Sequence, residues 1–117
     1  MNGHVAIPHP LPDALVALIA QRFRVIGEPM RIRVLDALRD GPLSVNELTD
    51  ALGASQQNVS KHVGVLAQAG IVGSEKDGTR VRCFIADPSV FELCEIVCGG
   101  LRQQVAEVDQ LLTGPAR

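Results

Sequence analysis

Residues 44–71 read SVNELTDALGASQQNVSKHVGVLAQAGI. Ser44-Val45-Asn46-Glu47 is a capping-box pattern: the serine side chain and the acid three residues on each satisfy the other's backbone N–H. It predicts a short third helix over about 45–52, stopped by Gly53. Ser55 then caps a fourth helix that ends at Gly70, after a tight Gly53-Ala54 turn. Helix, short glycine turn and polar-fronted helix together make a helix-turn-helix pattern. Val59, Val63 and Leu66 recur at helical spacing and predict the buried stripe of the fourth helix. Ser55, Gln56, Gln57, Asn58, Ser60, Lys61 and His62 crowd its start. Amides pair bidentately with adenine edges in a major groove, and lysine with guanine edges. No acid lies between Ser55 and His62 to repel phosphate.

Downstream, Asp77-Gly78 separates two strand-like runs, Ile71-Val72 onward and Thr79 to Ile85. That dipeptide predicts a hairpin, which after a helix-turn-helix is a wing. Lys76, Arg80 and Arg82 there are candidates for backbone phosphates or an adjacent minor groove, contacts that position without reading sequence. Ser44 joins the DNA-facing candidates at the start of the third helix. Upstream, a first helix is predicted from Pro12-Asp13 to about Val25, with Leu15, Leu18, Ile19, Phe23 and Ile26 as one stripe. Gly27 breaks it, and Pro29 opens a second helix over about 29–39 with Met30, Val34, Leu35 and Leu38 inward. Asp87-Pro88 starts a last helix over about 88–112. The expected fold is mainly α with a small β-hairpin, a winged helix-turn-helix ordered helix, helix, helix, helix, strand, strand, helix. Residues 1–11 are expected to be an irregular arm and 12–113 the DNA-binding and dimerisation domain.

The chain's 117 residues suit one domain, and so small a core is often completed by dimerising. The net charge of -2 excludes a general nucleic-acid coat, so DNA binding must rest on local charge. Phe23, Phe84 and Phe91 are the only aromatics, which argues against stacking on single strands. No run approaches the roughly 18 apolar residues of a membrane span. The start, MNGHVAIPHPLP, lacks the basic and apolar regions of a secretory signal. The expected location is the cytoplasm, without a membrane, where Cys83, Cys94 and Cys98 are thiols rather than a disulfide framework. No catalytic triad, acid pair or phosphate-binding glycine loop stands out, and no enzyme is expected.

The run from about Phe23 to Ala86 resembles the arsenic-repressor (ArsR/SmtB-type) family of bacterial winged-helix regulators. The matching pieces are Gly27 to Leu35, Leu43 to Leu48, Ser55 and Val59 to His62, Leu66 to Val72, and Asp77-Gly78. The resemblance implies a homodimer, through the first and last helices, that represses its own operon. It also implies release from double-stranded operator DNA by a metal, metalloid or thiol-reactive signal. One inducer site of the family places Cys-x-Cys at the start of the third helix, where this chain has Ser44-Val45-Asn46-Glu47-Leu48. Another uses Asp-x-His near the start of the last helix with a His and an acid about three turns on. Here Asp87 is followed by Pro88 and Ser89, and Gly100 and Gln103 occupy the later positions. Neither site is expected.

Cys94 and Cys98 remain, four apart and so on one helix face. Two thiolates at that spacing suit one soft ion of the Hg(II), As(III), Cd(II) or Cu(I) class. The competing reading makes them small hydrophobes on a dimer stripe. Cys83 is read first as a core residue, and otherwise as a third sulfur for trigonal As(III). His4 and His9 in the arm are read as solvated. Gly99-Gly100 inside the last helix is read as close helix approach in a dimer, or else as a hinge. The leading expectation is a repressor released when a soft ion binds the cysteines. The alternatives are a repressor released by thiol oxidation or persulfidation, and a winged-helix protein-interaction module that does not bind DNA.

Overall fold

The computed structural model describes residues 5–114. The elements are α1 (Asp13–Ile26), α2 (Pro29–Ala37), β1 (Leu43–Ser44), α3 (Val45–Leu52), α4 (Gln56–Gln68), β2 (Val72–Asp77), β3 (Arg80–Ile85) and α5 (Ser89–Thr113). Two compact units divide the chain, one through Asp87 and one from Pro88 onward. Residues 5–12 are irregular, and His4 lies outside the described residues. Among the described residues, no helix is long and apolar enough to cross a membrane.

Local chemistry sets each boundary in the first unit. α1 stops at Gly27, where an added Cβ would lie 2.9 Å from the Phe23 carbonyl oxygen. α2 takes Pro29 in its first turn, and the Glu28 carboxylate accepts the Arg31 N–H at 3.0 Å. It ends at Ala37, two residues before the sequence expectation, because the chain tightens there. The Arg39 N–H turns to Asp36 O, at 3.2 Å. The capping box of α3 is complete, with Glu47 N–H to Ser44 Oγ at 3.1 Å and Ser44 N–H to Glu47 Oε1 at 2.9 Å. Gly53 closes α3 in the left-handed region at φ 62°, a conformation other residues rarely adopt.

The core gathers one face from each element. Val34, Leu35 and Leu38 come from α2 and its end, Leu48 from α3, and Val59 and Leu66 from α4. Ile71, Val72 and Cys83 come from the sheet side. Fully burying a Val, Leu or Ile side chain contributes about 1.5–3 kcal/mol relative to exposure. Arg22 braces the periphery, donating to Ala69 O at 2.6 Å and pairing with Asp87. The expected α1 stripe is only partly buried. Ile26 is in the core, but Leu18 is 64% and Phe23 56% exposed.

The wing carries a strand the sequence reading did not include. β3 is central, flanked by β2 through the hairpin and by β1 on its other side, all antiparallel. Leu43 pairs with Cys83 and Ser44 with Arg82. Across the hairpin, Gly73 pairs with Phe84, whose ring covers it. A Cβ on Gly73 would sit 2.6 Å from Phe84 Cζ. Gly73→Ala is therefore expected to destabilise the fold by about 1–3 kcal/mol, as overpacking does. In urea denaturation, Phe84→Leu should relieve much of that loss, because the two positions share one contact. Simple additivity would show that the ring is not what excludes the side chain.

The second unit is the continuous helix α5. At 3.6 residues per turn, Val90, Cys94, Val97, Cys98, Leu101, Val105, Val108 and Leu112 fall on one stripe. Val90 is buried, while Val97, Leu101, Val105, Val108 and Leu112 are all exposed. Gly99 lies on the opposite side of the helix from this stripe. An added Cβ at Gly99 or Gly100 meets nothing within 4 Å.

Candidate nucleic-acid interface

α4 begins with its own cap, the Ser55 hydroxyl accepting the Asn58 N–H at 3.1 Å. Gln56, Gln57, Ser60 and Lys61 are then exposed along one side of the helix, and Asn58 is half-buried at its edge. This face carries amide, hydroxyl and ammonium groups and no carboxylate. Ser44 is half-buried and engaged in the α3 capping box.

His62 departs from the expectation that it faces DNA. It is 8% exposed and sits among core residues. Its Nδ1 lies 3.1 Å from an Arg31 terminal nitrogen and 3.6 Å from Glu28 Oε2. Because the guanidinium can only donate, a hydrogen bond at 3.1 Å takes Nδ1 as its acceptor. Arg31 also donates to the carbonyls of Val25 and Arg24 at the end of α1. One guanidinium thus ties α1 and α2 to the inner face of α4. Helical spacing held the signal: His62 is three residues after Val59 and four before Leu66, on the stripe those residues bury.

In the wing, Lys76 and Arg80 are exposed. Arg82 is half-buried, its Nε 3.5 Å from Asp77 Oδ2 and out of solvent without a hydrogen bond. It lies within electrostatic reach of Glu47, as does Arg80. The backbone hydrogen bond from Ser44 is the main cause that holds the Glu47 carboxyl below its usual range. The Ser44 hydroxyl adds to it, and the two arginines follow. Arg82 is thus partly engaged within the protein, whereas Lys76 and Arg80 are exposed to solvent.

Cys83 is in the core at 2% exposure, and burial pushes its thiol up, away from the thiolate that a metal requires. Cys94 is half-buried and Cys98 exposed. Among the described residues, no three His, Cys, Asp or Glu side chains are grouped to hold a metal. His9 is exposed in the irregular segment before α1.

A helix-turn-helix domain model, HTH_20, matches residues 26–74. The HTH-type transcriptional regulator Rv0081 of Mycobacterium tuberculosis is 33% identical over 107 residues, covering 87% of this chain and 94% of the relative. The chain belongs to the ArsR/SmtB family. Another relative in the same organism, the regulator KmtR, is 39% identical over 74 residues, 63% of this chain. That match spans only 57% of KmtR's own length. The crystal structure of Rv0081 superposes with a TM-score of 0.74 at 32% identity, over 82% of this chain and 97% of that one. AntR, an antimony-specific transcriptional repressor, superposes with a TM-score of 0.71 at 27% identity, over 85% and 90% of the two chains. As an ArsR/SmtB member the chain is a transcriptional regulator rather than an enzyme. The segment matched by the domain model includes α4 and its polar face.

Proposed function

We propose that the protein is a dimeric repressor. α4 enters the major groove of an inverted-repeat operator, and a soft metal or metalloid ion bound by Cys94 and Cys98 releases it. The observation that carries the DNA side is the exposed face of Gln56, Gln57, Ser60 and Lys61 without an acid. Lys76 and Arg80 supply phosphate contacts that fix register, and Arg82 holds the wing. Ser44, Ser55 and Asn58 sit at the capped helix starts, with Ser55 and Asn58 nearest the groove. In the dimer, the two recognition helices face half-sites about one duplex turn apart. Residues 12–113 act as one functional domain, with α1 and α5 closing against a second copy.

The inducer reading rests on placement. Cys94 and Cys98 are one turn apart, with Cβ atoms about 6 Å from each other, at the head of the apolar stripe of α5. A chain offers two sulfurs there, which suit a soft, thiophilic ion, and a dimer along the stripe presents four thiols to one site or to two. The antimony specificity named for AntR and the mercury resistance named for a Streptomyces lividans relative (32% identical over 74 residues) fit such chemistry. A second reading follows from the exposure of Cys98: an oxidant or a sulfide donor reaches that thiol directly, and modification rather than an ion releases the DNA.

Fluorescence anisotropy on DNA from upstream of the gene tests both readings. Hg(II), As(III), Cd(II) or Cu(I) should release the reduced wild type, and Cys94→Ser/Cys98→Ser should stay bound at every ion concentration. Release only by oxidant or sulfide donor, reversed by reductant, selects the second reading. Equal release of the double mutant rejects both.

A further inference from the structure

Gly64 lies inside α4, four residues after Ser60 and three after Lys61. Helical geometry puts it in the middle of the exposed face shared with Gln57, Ser60, Lys61 and Gln68, opposite Val59, His62 and Leu66. An interior helical glycine lowers helix stability relative to alanine. Several other glycines of the fold have an internal reason, though Gly99 and Gly100 in α5 do not. Gly53 and Gly70 adopt positive φ, and Gly73 lies under the Phe84 ring. Gly64 has none: its φ is not positive, it is exposed, and an added Cβ meets nothing within 4 Å. Packing within the chain gives no reason for the missing side chain.

We infer that Gly64 is a positioning residue for DNA: its bare backbone lets α4 seat closely in the groove, and a side chain there lifts the helix from the base edges. The inference rests on α4 being the DNA-facing helix. The neighbours on this face point to a duplex rather than to a protein partner. They are amides, a hydroxyl and a lysine, with no large apolar side chain and no acid among them.

Gly99 serves as the comparison, being likewise interior to a helix, exposed and open at its Cβ. Duplexes are first selected from a randomised pool by the full-length wild type. Gly64→Ala, Gly64→Gln and Gly99→Ala are then compared by thermal unfolding and by anisotropy on a selected duplex. Both alanine variants should melt higher, by about 4 °C. Gly64→Ala should bind the duplex about tenfold more weakly, the size of one lost base contact, and Gly64→Gln more weakly still. Gly99→Ala should bind as the wild type does. A gain in stability with a loss of binding cannot come from damage to the fold. Unchanged affinity in both Gly64 variants overturns the inference. Failure of the wild type to select any duplex overturns the DNA reading itself, and this inference with it.

Discussion

Leu101→Glu is expected to convert the protein to monomers and to lower operator affinity by about 10²–10⁴-fold. Leu101 lies at the middle of the α5 stripe and is 55% exposed in the single chain. Val97, Val105, Val108 and Leu112 extend the same stripe above and below it, all exposed. A contiguous apolar surface of this kind marks an interaction site. Each large side chain closed off there contributes about 1.5–3 kcal/mol, and a two-fold interface counts every position twice. In the proposed dimer a carboxylate at Leu101 removes apolar burial and brings two like charges into the interface. The DNA effect follows from linkage: two half-sites held together act at a high effective concentration, and separated monomers lose that factor. Sedimentation and anisotropy on one sample measure both effects. A variant that stays dimeric at the wild-type concentration places the interface elsewhere.

Arg31→Met should cost about 3 kcal/mol of stability, far more than an ordinary surface substitution. The guanidinium donates to Val25 O, Arg24 O and His62 Nδ1. Its removal leaves the two carbonyls to find other donors and His62 Nδ1 without its partner. Hydrogen bonds to charged groups contribute about 1.5–3 kcal/mol, and a buried acceptor left unpaired costs a further 1–3 kcal/mol. Part of the site is open to water, which keeps the sum toward the lower end. Arg31→Lys should not rescue it, because an ammonium cannot reproduce the planar fork. At the other end of the contact, His62→Asn keeps an acceptor near the Nδ1 position and should retain more stability than His62→Leu. Urea midpoints at constant slope measure all four variants. A milder effect of Arg31→Met than of Arg31→Lys would remove the network from the account of stability.

The parts of the fold that were legible in the sequence are those specified by neighbours in the chain. Ser44 with Glu47, Ser55, Gly53 and Asp77-Gly78 each act over two to four residues, and α3, α4 and the hairpin follow from them. β1 has no such signature. It is two residues long, and its partners Arg82 and Cys83 lie about forty positions away. The polarity of His62 points to the DNA-facing side, whereas its spacing from Val59 and Leu66 places it on the buried stripe. A polar residue on a buried stripe needs a partner, and Arg31 supplies one from a different helix. Exposure within the wing was not legible either. The sequence treats Lys76, Arg80 and Arg82 alike, whereas Arg82, paired between Ser44 and Glu75 inside the sheet, is half-buried beside Asp77, and Arg80 at the hairpin end is exposed.

The two residues of β1 have a mechanical consequence. Ser44 pairs with Arg82 in the sheet and, through its side chain and its N–H, closes the first turn of α3. The root of the wing and the front of the helix-turn-helix therefore share one residue and turn as a single lever. Because α3 packs against α4, this link ties the proposed recognition helix to the wing before any duplex arrives. A duplex whose minor groove is too wide or too narrow for the span between them must itself deform, at an energy set by its own base steps. Sequence preference would then extend to bases that no side chain touches.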